Sequence, residues 1–146
     1  MREILFRGKA FNGEWEYGVP VFSGLNNELA FMKQMHSYDH QVIPETVGQY
    51  TGLTDKDGKK VFEGDIVHCK YANAPNNKHI QKVVFFEGKF MAEFLNGGCY
   101  AELYDGARHF NFDKSVYMTE FEVIGNIHDN PELLKGGAKK EGAEDA

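Results

Sequence analysis

The sequence is poor in the residues that build disulfide frameworks, secretory signals and membrane spans. It has two cysteines, Cys69 and Cys99, far apart in the chain, so we interpret both as free thiols. No apolar run approaches the length of a membrane span, and Met1-Arg2-Glu3 leads directly into a strand-like pattern without a secretory signal. These absences predict a cytoplasmic protein that does not contact a membrane.

Positive charge is also scarce, with 16 Lys and Arg residues against 22 Asp and Glu residues and a formal net charge of −6. This balance disfavours nonspecific binding to nucleic acid, because neutralising phosphates requires clustered cations. A local basic stripe stays open as an alternative. It would have to gather on one face Arg7, Lys9, Lys33, Lys59, Lys60, Lys70, Lys78 and Lys82.

The calcium-loop signature is incomplete. Asp55-x-Asp57-Gly58 resembles a fragment of an EF-hand loop. Aligning Gly58 with the sixth loop position places Leu53 at the first position and Gly64 at the twelfth, where the loop needs carboxylates. We therefore interpret this segment as a hairpin turn that binds no calcium.

Signatures of zinc sites, nucleophilic catalysis and phosphate binding are missing as well. His36 and His40 are four residues apart, but no helix is predicted there and no cysteine pair accompanies them. Cys69 lies in a predicted strand, where a free cysteine is usually a small buried hydrophobe. Gly48-x-x-x-Gly52 matches neither glycine-rich phosphate signature. The sequence predicts no metal, no cofactor and no enzymatic activity.

What the sequence contains instead is a succession of short strands and turns, organised around Gly48–Val67. Two strand-like segments flank Asp57-Gly58, a dipeptide that favours a type I′ turn because both central residues need positive φ. An N-terminal hairpin pairs residues 2–8 with 14–22. Because Pro20 cannot donate a hydrogen bond to a neighbouring strand, the second of these strands is predicted to be an edge strand or to be broken at Pro20.

The later chain continues the same pattern. A hairpin over residues 80–94 turns near Phe86 to Lys89, and residues 72–78 predict a long exposed loop. For residues 28–36 we favour a strand over a helix. Residues 107–119 are predicted either to be irregular or to contain one short strand.

This spacing predicts a mainly β protein, either a small SH3-like barrel or a β-sandwich, with an N-terminal β-hairpin extension and a short C-terminal helical turn at Pro131. A single domain is expected over residues 1–135. The tail over residues 136–146 has no aromatic or β-branched residue and is expected to be disordered.

Four segments resemble the YopX protein family, small proteins found mainly in phages and prophages. They are REILFRGKAFNGEWEYG, VIPETVGQYTGLTDKDGKKVFEGDIV, VVFFEGKFMAEF and FEVIGNIHDNPELL, which together run from Arg2 to Leu134. The resemblance implies a mostly β fold and a phage or prophage origin. It implies no activity and no catalytic residue.

Aromatic residues make up 14% of the chain, more than a core of this size must contain. We expect Tyr50 to lie in the core with its hydroxyl bonded at the edge. An interaction surface is hypothesised for some of the others, because Trp and Tyr are enriched at interfaces. The leading hypothesis is a non-enzymatic protein-interaction module, with a homo-oligomer left open, that acts on a host or phage protein. The alternative is a nucleic-acid-binding SH3-like small barrel. The residues proposed for the surface are Trp15, Tyr17, Tyr71, Tyr100 and Tyr104.

Overall fold

The computed structural model of the chain is mainly β and describes residues 3–35, 37–72, 74–95, 100–103 and 118–135. The chain folds as two compact units, Met1–Gly52 and Leu53–Ala146. A 3₁₀ turn spans Pro44–Thr46, and a helical turn covers residues 132–135. The strands are β1 (Phe6–Lys9), β2 (Trp15–Ser23), β3 (Leu29–Lys33), β4 (His40–Val42), β5 (Gly48–Thr54), β6 (Lys60–Phe62), β7 (Asp65–Tyr71), β8 (Ala74–Phe86), β9 (Lys89–Phe94), β10 (Tyr100–Glu102) and β11 (Met118–Asn126).

The strands form two antiparallel sheets, one in the order β4-β3-β2-β1-β5-β6 and one in the order β10-β9-β8-β7-β11. The predicted mainly β class, the N-terminal hairpin and the C-terminal helical turn are confirmed. Two antiparallel sheets match the sandwich alternative, and in the described ranges neither sheet closes into a barrel. The single domain over residues 1–135 stays a prediction, and residues 136–146 lie outside the described part of the chain.

Strand β2 lies between β1 and β3, but these two neighbours pair with different halves of it. It pairs with β1 over Trp15–Gly18 and with β3 over Val19–Ser23. At Pro20, therefore, the strand has a hydrogen-bonded neighbour on one side only, as an edge strand does. This arrangement tolerates a residue that has no N–H group. Residues 28–36 contain β3, so the favoured strand is confirmed.

The core of the first unit lies where β1 packs closely against β3 and β4. The backbone N–H of Ile43 donates to the carbonyl of Lys9 at 2.8 Å, which draws the end of β1 towards β4. A Cβ atom added at Gly8 would lie 2.9 Å from the Cγ2 atom of Val42, so only glycine allows this approach without a shift. The buried residues of this core are Ala30, Met32 and Val42, with Phe6 and Val47 packed against them.

The core of the second unit encloses a polar chain of hydrogen bonds. The Tyr71 hydroxyl donates to Oε1 of Gln81 at 2.6 Å, and Nε2 of Gln81 donates to the carbonyl of Ala92 at 3.0 Å. Each buried polar group thus has a partner, which removes the cost of burying it unpaired. The surrounding buried residues are Val61, Val67, Cys69, Val83, Leu103, Met118 and Phe121.

Two hairpin turns follow different local rules. The turn predicted near Phe86 to Lys89 is confirmed. Glu87 and Gly88 both have positive φ, +49° and +86°, so β8 and β9 are joined by a two-residue type I′ turn. The predicted turn at Asp57-Gly58 is confirmed, but its type is not. Gly58 alone has positive φ, +85°, and the N–H of Asp55 donates to the carbonyl of Lys59 at 2.9 Å. This is a three-residue loop whose last residue is left-handed.

The stretch Gly48–Val67 contributes β5 and β6 to the first sheet and the start of β7 to the second, and β5 and β7 each have a neighbouring strand on both sides. One expectation about the segment that follows is wrong. Residues 74–78 form the start of β8 and not a long loop. They pair with the end of β7 across an irregular register, because Tyr71 opposes Ala74 and Cys69 opposes His79.

Candidate interaction surface

Alternation along β2 places four large side chains on one face. In a strand, residues two apart point the same way, so Trp15, Tyr17, Val19 and Val21 share a face. Tyr17, Val19 and Val21 are exposed, and Trp15 is half-buried. The apolar stripe of this strand therefore faces outwards.

Strand β3 widens this stripe into a patch. Val21 lies opposite Phe31, and Ser23 lies opposite Leu29, so both apolar residues of β3 stand on the same face as the valines. Leu29 is exposed and Phe31 is half-buried. We call this surface, which consists of Tyr17, Val19, Val21, Leu29 and Phe31, the β2–β3 face.

Three cations lie on the same side of the sheet as the β2–β3 face. On β1, Arg7 lies opposite Tyr17 and Lys9 lies opposite Trp15, while on β3 Lys33 lies opposite Val19. The outward positions of β1 to β4, which are all described, carry no carboxylate.

The cations are held in different ways. The Arg7 guanidinium lies 4.6 Å from the centre of the Trp15 ring and makes a cation–π contact with it. Arg7 is buried. Nζ of Lys33 lies 3.0 Å from a carboxylate oxygen of Asp39, and both side chains are exposed. An exposed pair of this kind contributes little to stability.

The predicted surface residues do not form one patch. Trp15 and Tyr17 lie on β2, beside or within the β2–β3 face. Tyr71 is buried in the core of the second unit and cannot contribute to a surface. Tyr100 is half-buried in the second unit, stacked on Phe86 with ring centres 3.9 Å apart. Tyr104 lies outside the described residues.

Sequence reasoning missed four residues of this face, Val19, Val21, Leu29 and Phe31. The available signal was the alternation in Trp15–Ser23, in which large residues alternate with Gly18 and Pro20. Such alternation normally marks the large residues as the buried face. Here Gly18 and Pro20 lie on the core side instead, opposite the core residues Phe6 and Met32.

The Asp55 carboxylate has a structural role. It accepts hydrogen bonds from the backbone N–H groups of Asp57, Lys59 and Val123, all at 2.9 Å. Burial raises the pKa of Asp55, but these three donors, together with the charge of Lys59, outweigh burial and hold that pKa below its ordinary value. Its oxygens are thus occupied within the fold.

The described residues offer no catalytic or metal-binding cluster. Cys69 is a free and fully buried thiol, and burial raises its pKa, so the reactive thiolate is disfavoured. Within the described ranges, no three His, Cys, Asp or Glu side chains group so as to hold a metal ion. His36, from the histidine pair considered above, lies outside those ranges. Among the same residues, no helix is long and apolar enough to cross a membrane.

Comparison with known proteins gives a family. No curated protein matches the chain. Protein EF1440 from Enterococcus faecalis, whose crystal structure is known, is similar at 23% sequence identity and a TM-score of 0.48. The match covers 92% of this chain and 99% of that one. The family model described as YopX protein matches residues 13–135, which is most of the chain. The chain therefore belongs to the YopX protein family.

Proposed function

We propose that this protein is a non-enzymatic protein-interaction module of phage or prophage origin, which acts in the host cytoplasm on a host or phage protein. The observation that carries the proposal is the β2–β3 face. Five apolar or aromatic residues form a continuous patch on two paired strands, and four of the five are exposed, namely Tyr17, Val19, Val21 and Leu29. Contiguous apolar surface of this kind marks interaction sites in soluble proteins.

The rigidity of the patch supports binding. Gln34 donates from Nε2 to the carbonyl of Tyr17 at 3.0 Å and to Oε1 of Glu16 at 3.2 Å, which ties the end of β3 to β2. A preformed surface loses little conformational entropy when a partner docks.

The buried polar groups support a role without catalysis. Asp55, Tyr71 and Gln81 each have hydrogen-bond partners within the fold, and Cys69 is sealed in the core. A general base or nucleophile has to reach a substrate, and none of these four groups is accessible to one.

The alternative, nucleic-acid binding, loses support in the second unit, where lysines alternate with glutamates. Lys70 lies 3.6 Å from Glu120, and Lys82 lies 3.7 Å from Glu93. Carboxylates placed between the lysines cancel the positive stripe that phosphate binding needs.

Site-specific photo-crosslinking in host cells tests the proposal. A photo-reactive phenylalanine analogue replaces Tyr17, and the same analogue replaces Phe85, an exposed residue of the second unit, as the matched control. We expect a discrete protein adduct at position 17 and none at position 85. The captured protein is then purified, and its binding to the parent chain and to Val21→Asp is measured. Equal capture at both positions, or undiminished binding to Val21→Asp, contradicts the proposal.

A further inference from the structure

We infer that two copies of this chain pair through the open edge of β2, at residues 20–22, and so extend one sheet across a two-fold axis. This inference goes beyond the proposed function, because it concerns the edge of the sheet and not the β2–β3 face. It follows from the direction of the backbone groups in the second half of β2 and from the side chains beside them.

The second half of β2 has a paired strand on one side only. Strand β1 begins at Phe6, which lies opposite Gly18, whereas β3 lies opposite residues 19–23. Just before β1, the carbonyl of Leu5 accepts a hydrogen bond from the N–H of Tyr50 at 2.8 Å, so the chain bonds there to β5. In the described part of the chain, no strand pairs with residues 19–23 on the side away from β3.

The register with β3 identifies the backbone groups that point to this open side. In an antiparallel pair, residues whose backbone groups face the partner strand alternate with residues whose groups face away. The pairing runs without a shift through Pro20, opposite Met32, although Pro20 has no N–H group to donate. Pro20 is therefore a residue that faces away from β3, and Phe22 is the next. The N–H and C=O groups of Phe22 and the C=O group of Pro20 thus point to the open side.

The side chains along this edge are uncharged, and two large apolar ones are exposed. Val21 is 43% exposed and Phe22 is 42% exposed, and they stand on opposite faces of the strand. Charges, which commonly keep an edge strand from pairing with another chain, are missing from residues 19–23. Pro20 removes one donor from the edge, but the donor and the acceptor of Phe22 remain. The edge can therefore add a strand.

Two outer strands show how this protein closes an edge elsewhere. Val42 on β4 forms a bridge with Ala10, and the N–H of Val123 on β11 donates to the carboxylate of Asp55 at 2.9 Å. Within the described ranges, no backbone hydrogen bond of this kind reaches Phe22 from the open side of β2. The open half of β2 thus differs from these two edges.

A second copy of the chain matches this edge through a two-fold axis. When Phe22 lies opposite the second copy's Phe22, the N–H group of each residue donates to the C=O group of the other. The two rings then lie on one face of the joined sheet, and each Val21 lies opposite the second copy's Ser23. The register that sets Pro20 opposite Phe22 leaves the Phe22 carbonyl without a donor in both copies, so Pro20 disfavours it.

The β2–β3 face stays accessible in this dimer. Strand pairing takes place in the plane of the sheet, whereas Val19, Val21 and Leu29 stand out from that plane. The two-fold axis is perpendicular to the sheet, so the two copies present their β2–β3 faces on the same side. Lys33 lies on β3, on the side of β2 away from the axis, so the lysines of the two copies do not meet.

Sedimentation equilibrium of the full chain over a range of protein concentrations tests the inference. Phe22→Pro removes the N–H group at the open edge but no hydrogen bond to β3, because Phe22 faces away from β3. Phe22→Ala removes the ring and keeps the N–H group. We expect the parent to dimerise and Phe22→Pro to raise the dissociation constant of the dimer at least about tenfold, with a smaller increase in Phe22→Ala. Circular dichroism confirms that each variant is folded.

A control and a cross-link keep the test independent of the proline variant. Tyr17 is 45% exposed, close to Phe22, but lies in the half of β2 that pairs with β1, so Tyr17→Ala should dimerise as the parent does. Directly opposed residues of the inferred pair have Cα atoms about 5.5 Å apart, which suits a disulfide. Under mild oxidation, Phe22→Cys should therefore form a covalent dimer and Tyr17→Cys should not.

Three outcomes would overturn the inferred dimer. The first is a parent chain that stays monomeric up to about 1 mM. The second is a folded Phe22→Pro variant that dimerises as tightly as the parent. The third is equal cross-linking of Phe22→Cys and Tyr17→Cys. None of these outcomes bears on the photo-crosslinked adduct at position 17, so the inferred dimer and the proposed function can fail separately.

Discussion

The Asp55 carboxylate accepts a hydrogen bond at 2.9 Å from the backbone N–H of Val123, a residue 68 positions further along the chain. Next to this bond, the N–H of Lys56 donates to the carbonyl of Phe121 at 3.0 Å. Strand β11 pairs with β7 on one side only, so these bonds occupy groups on its open edge. Covering such an edge prevents pairing with other chains. These two hydrogen bonds thus join the turn after β5 directly to β11, which lies in the C-terminal part of the chain.

Replacing Asp55 should destabilise the second unit. Asp55→Ala leaves three backbone N–H groups without their acceptor, and hydrogen bonds to a charged group each contribute about 1.5–3 kcal/mol, so we expect a loss of at least about 4 kcal/mol. Chemical denaturation measures this loss. Asp57→Ala, at an exposed position of the same turn, is the control and should change the unfolding free energy by less than about 0.5 kcal/mol. Similar effects of the two substitutions would contradict the role of Asp55.

The same carboxylate should make stability depend on pH. The pKa of Asp55 in the folded protein lies below its ordinary value of 3.8, so at acidic pH the unfolded state binds more protons than the folded state. The contribution of Asp55 is therefore complete above that ordinary value and is lost as pH falls through the folded-state pKa. We expect the difference in unfolding free energy between the parent and Asp55→Asn to shrink as pH falls below 3.8. A difference that stays constant through this range would refute the assignment.

Calcium should not bind at the Asp55–Gly58 turn. The carboxylate oxygens of Asp55 already accept three backbone N–H groups, and a cation would have to displace them. Isothermal titration with calcium should show no heat of binding at micromolar affinity, the range of EF-hand sensors. Micromolar binding that disappears in Asp57→Ala would show that the turn is a calcium site.

Tyr50 should behave as a core residue. It is buried on β5, with Gln49 and Thr51 half-buried on the other face, as the sequence predicts. Tyr50→Ala removes a large buried ring, so we expect a loss of about 3–5 kcal/mol, measured by thermal unfolding. Tyr17→Ala is the matched control, because the Tyr17 ring is exposed on the β2–β3 face, and it should leave the melting temperature nearly unchanged. An unaltered melting temperature in Tyr50→Ala would favour a binding role for that residue.

The sequence alone determined the turns and the strands beside them, because these depend on residues that are close together in the chain. Glu87-Gly88 marks a hairpin because glycine adopts positive φ without steric cost, and this preference is present before any tertiary contact forms. The strands that flank these turns, the mainly β class and the family follow from such local signals. Tyr50 could be assigned to the core because β5 alternates in the usual sense.

Only the tertiary structure decided which side of each strand is buried and which distant groups meet. Alternation in β2 defines two faces but does not say which one packs. Strand pairing places Gly18 and Pro20 opposite the core residues Phe6 and Met32, which leaves the valines on the outer side. Tyr71 and Tyr17 are both tyrosines on strands, yet the Gln81 amide gives the Tyr71 hydroxyl a partner inside the core, while Tyr17 remains exposed. The bond from Val123 to Asp55 likewise depends on chain folding across 68 positions, which no local preference encodes.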